Sequence, residues 1–111
     1  MTKEETLNSM KSTIMGMLLG EGGLSSDFCP DKQDKSLNLL MQKIKNHLLT
    51  DEKFRDELTN ELVNVYINKC KLMGVEANMA NLPVVLYPHQ CCLQAAHIAT
   101  QIFAREDNLK R

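Results

Sequence analysis

The densest set of reactive side chains lies in the segment His89-Gln-Cys-Cys-Leu-Gln-Ala-Ala-His97, which holds two histidines and two cysteines. Imidazole and thiolate groups are the usual ligands of soft metals, so His89, Cys91, Cys92 and His97 are the metal candidates of this chain. On a helix His89 and Cys92 share a face, being three residues apart. His97 follows Cys92 by five and Cys91 by six, which puts it off that face. A structural zinc site normally pairs two short spacings, and neither pair is present, so no metal site and no cofactor are expected. Thiol catalysis needs a cysteine, a histidine and an orienting group in register. No local signature surrounds these cysteines, so the expected roles are packed thiols and an exposed histidine.

Other arrangements fail on spacing. Asp27, Asp31 and Asp34 do not alternate around a central glycine as a calcium loop requires. Gly20-Glu-Gly-Gly follows a helical pattern, whereas a phosphate cradle follows a strand and precedes Lys-Ser or Lys-Thr. A helix-turn-helix reading meets acidic residues, Asp51, Glu52, Asp56 and Glu57, where the reading helix would meet DNA. The net charge of −1 likewise disfavours nucleic acid as a partner.

The chain that must position these groups has 111 residues, room for one domain. Its hydrophobic fraction of 43% and charged fraction of 24% are ordinary globular values. Only five residues, Phe28, Phe54, Tyr66, Tyr87 and Phe103, are aromatic, and seven methionines supply other bulk. Met1-Thr2-Lys3-Glu4-Glu5 lacks the basic start and apolar run of a secretory signal, and no apolar run is long enough to span a bilayer. The expectation is a soluble, cytoplasmic protein with no membrane partner, and therefore with reduced cysteines.

Periodicity predicts an all-α fold: four helices at about 3–19, 36–49, 51–73 and 88–105. Thr2 and Glu5 form a capping pattern for the first, whose stripe is Leu7, Met10, Ile14 and Met17. The glycines at 20, 22 and 23 stop it. Residues 21–35 form a long loop anchored by Phe28. Asp34 or Ser36 is positioned to cap the second helix, which turns Leu37, Leu40, Met41, Ile44 and Leu48 inward. The third has acidic first turns and Lys69 and Lys71 in its last, matching the helix dipole, with Gly74 as its stop. An irregular segment with Pro83 follows, in which Leu82–Tyr87 reads as a short extended piece. Pro88 opens the last helix, and a charged tail begins at Glu106.

From Ala77 to Ala104 there is no Asp, Glu, Lys or Arg. A helix without a charged face is either surrounded by its own chain or set in a contact with another. The expected contact residues are Cys92, Ala95, Ala96, Ala99, Ile102 and Phe103. Met15 and Leu19 widen the first stripe beyond one core face, and with Phe28 they are expected to meet a partner. The functional expectation is a non-enzymatic adaptor or regulator, acting by helix contact with another protein chain and self-associating as a homo-oligomer. The alternatives are a metal- or thiol-dependent protein using His89, Cys91, Cys92 and His97, and a nucleic-acid-binding regulator.

Overall fold

The structure is a computed structural model that describes residues 2–20, 24 and 35–109. Its five helices are α1 (Lys3–Leu19), α2 (Lys35–Thr50), α3 (Glu52–Met73), α4 (Leu82–Val85) and α5 (Pro88–Leu109). No strand occurs among the described residues. The fold is therefore a small all-α domain, as the periodicity predicts.

Helices α1 and α3 begin where the sequence supplies a backbone partner. Thr2 caps α1, its hydroxyl accepting from the Glu5 N–H at 3.1 Å. Asp51 is the only residue between α2 and α3, and its carboxylate accepts from the Phe54 N–H at 3.1 Å. The Arg55 Nε donates to the Leu48 carbonyl at 2.7 Å, which ties the end of α2 to the start of α3. Two glycines end helices for different reasons. Gly20 has ordinary extended backbone, but a Cβ there would lie 2.6 Å from the Gly16 carbonyl oxygen. Gly74 sits at φ 71°, the left-handed geometry that side chains resist.

Three expectations change. Ser36 does not cap α2, because the helix already includes Lys35. Leu82–Val85 is a helical turn rather than an extended piece: Pro83 is tolerated in a first turn, and Leu82, Val85 and Leu86 bury at helical spacing. Finally, α5 continues past 105 to Leu109, and Arg105 forms an ion pair at 2.7 Å with Glu57 of α3. The expected loop at residues 21–35 lies largely outside the described residues, and Phe28 and Cys29 with it.

The inward stripes meet in one core that includes Ile14, Leu18, Ile44, Leu48, Phe54, Leu58, Leu62, Tyr66, Leu82, Leu86 and Ile102. Helix α5 packs against α1, α2 and α3, and α3 against the other four. Thr59 is the buried polar side chain, and its hydroxyl donates to the Arg55 carbonyl at 2.8 Å.

Candidate functional site

The reactive segment is pulled apart by the helix that carries it. Cys91 and Cys92 are fully buried, His89 is partly buried, and His97 is exposed on the opposite side of α5. Among the described residues, no three His, Cys, Asp or Glu side chains lie together as a metal site would need. Burial pushes the Cys91 thiol up from 9.0 to about 12. It is thus protonated near neutral pH, the form that neither attacks nor ligates well. The raised value favours the neutral thiol in the fold. Its contribution to stability is therefore complete below pH 9.0 and is lost as pH rises toward about 12. In the folded protein at pH 8, we expect Cys91 to resist iodoacetamide and to react once urea unfolds the chain, as peptide mass mapping would show.

The inner face of α5 is also accounted for by this one chain. Cys92, Ala95, Ala96, Ala99, Ile102 and Phe103 are all buried against its own helices. Met15 and Leu19 are partly buried and pack on the core edge. Between Leu93 and Ala104 the outward residues of α5 are Leu93, His97, Thr100, Gln101 and Ala104, none of them charged, and the exposed Arg105 and Asp107 follow.

Most of the exposed apolar bulk lies in the chain between the end of α3 and the start of α5. Leu72 is 90% exposed, Val84 74% and Met73 55%, with Val75, Tyr87 and Leu93 near 40%. The only other large exposed apolar side chains among the described residues are Leu39 and Leu49 of α2. Several of the six can be placed relative to one another. The Lys69 ammonium donates to the Gln90 side-chain oxygen and lies 5.8 Å from the centre of the Tyr87 ring. Leu72 and Met73 follow Lys69 by three and four residues and share its face. Leu93 follows Gln90 by three and shares its face in turn. The Lys69–Gln90–Tyr87 contact is therefore the middle of a patch that joins the end of α3 to the start of α5.

The loop under this patch is well held. Tyr66, fully buried, donates its hydroxyl to the Asn78 carbonyl at 2.5 Å. Asn78 in turn accepts from the Asn81 N–H at 2.9 Å. Burial, with Cys70 beside it, pushes the Tyr66 phenol up to about 12, so it stays a donor across the ordinary pH range. The exposed side chains thus stand on a fixed backbone.

Sequence reasoning missed this patch for a physical reason. Leu72 lies two turns beyond Val65 and four beyond Leu58, on the same row of α3. By period alone it belongs to the core. It is exposed because α3 runs past the point where the neighbouring helices cover it. The one signal in the sequence was the charge-free stretch itself, which begins at Ala77 and takes in Tyr87 and Leu93.

Two grooves flank α1 and α3. One, about 420 Å³, is lined mainly by Leu7, Met10, Val63, Ile67 and Ala77. The other, about 590 Å³, mixes Lys11, Lys53 and Arg55 with Glu52 and Asp56, and Lys11 there is already paired with Asp56 at 2.7 Å. Neither brings together a set of groups that would carry a reaction.

No family model matches this chain, and no curated protein or solved structure gives a significant match. No helix among the described residues is long and apolar enough to cross a membrane.

Proposed function

We propose that this chain is a non-enzymatic adaptor or regulator that works by binding another protein chain through the apolar end formed by α3, α4 and α5. The observation that carries the reading is the coincidence of two properties at one place. Leu72, Met73, Tyr87 and Leu93 are exposed around the Lys69–Gln90 contact, and the sequence from Ala77 to Ala104, which supplies Tyr87 and Leu93, carries no charge. Clustered apolar exposure of this kind is characteristic of contact surfaces, whereas single exposed apolar residues are commonplace. Tyr87 and Met73 add the residue types enriched in such contacts.

The test compares two leucines of similar exposure in different surroundings. Leu72→Lys should abolish recovery of the partner on affinity capture under native conditions, with a tagged and an untagged copy of the chain both present. Leu39→Lys, on α2, should leave recovery unchanged. Equal recovery with both variants, or no partner with the parent, would overturn the proposal.

A further inference from the structure

We draw no further inference here: the strongest candidate, the groove of about 420 Å³ between α1 and α3 lined mainly by Leu7, Met10, Val63 and Ile67, is an unpartnered apolar face, and nothing in the structure shows what covers it.

Discussion

The two ends of α3 are built from the same kinds of residue and finished in opposite ways. At its start, Phe54 stacks on Phe103 of α5 with ring centres 5.2 Å apart and planes 1° from parallel. The His47 ring meets both, at 5.3 and 5.0 Å. Lys43 sits 4.1 Å from the centre of the Phe103 ring. Around this aromatic cluster, Lys11 reaches Asp56 and Arg105 reaches Glu57 across helices. That end is closed and ringed with charge. At the other end, Leu72 and Met73 are exposed at the close of the helix, with Lys69 held by Gln90 and Lys71 exposed beside them. Apolar residues there have no covering helix. The difference teaches that exposure on this molecule depends on where helices stop, more than on which residues they carry.

The largest test of that contrast removes one apolar side chain from each end. Phe54→Ala should cost about 3–5 kcal/mol, since it empties a fully packed site. Leu72→Ala should change stability by less than about 0.5 kcal/mol in dilute solution, where no partner chain covers it. Urea denaturation of both variants checks the pair, and comparable losses would break the distinction between the ends.

A smaller effect is expected at the turn that leaves the open end. Gly74→Ala should destabilise by roughly 1 kcal/mol, because alanine must adopt a left-handed backbone there. Thermal denaturation would read it as a lowered midpoint, and an unchanged midpoint would mean that the turn is not held as described.

The smallest effect belongs to the charged rim of the closed end. Asp56→Asn should cost no more than about 0.5–1 kcal/mol and should matter less as salt rises, since Asp56 is largely exposed. A large, salt-independent loss would show that the rim holds that end together more than the aromatic stack does.

Much of this fold was legible in the sequence, and the reason is local. Helices α1 and α3 carry their own signals: a cap at Thr2 or Asp51, an apolar stripe, and a glycine stop at Gly20 or Gly74, while α2 carries its stripe. The features that were not legible depend on neighbours. The stretch around Pro83 reads as extended until Leu82, Val85 and Leu86 are seen to share one buried side. The end of α5 lies beyond the last apolar position of its stripe, where Arg105 pairs with Glu57 across the bundle. For the site, the sequence singled out α5, and the residues it named there are packed within this chain. Small residues such as Ala95 and Ala99 suggested close approach, and the approach is made by this chain's own helices. The residues left outside, Leu72 above all, look like core by period and differ only in having nothing packed over them.

The central claim is that the open end is a contact surface and the closed end is not. Placing a photoreactive side chain at Leu72 in one variant, and at the exposed Lys53 of the charged end in another, tests it most directly. On irradiation in native lysate, the Leu72 variant should give a product crosslinked to another protein chain and the Lys53 variant should give none. Crosslinking of equal yield from both positions, or from Lys53 alone, would contradict the account.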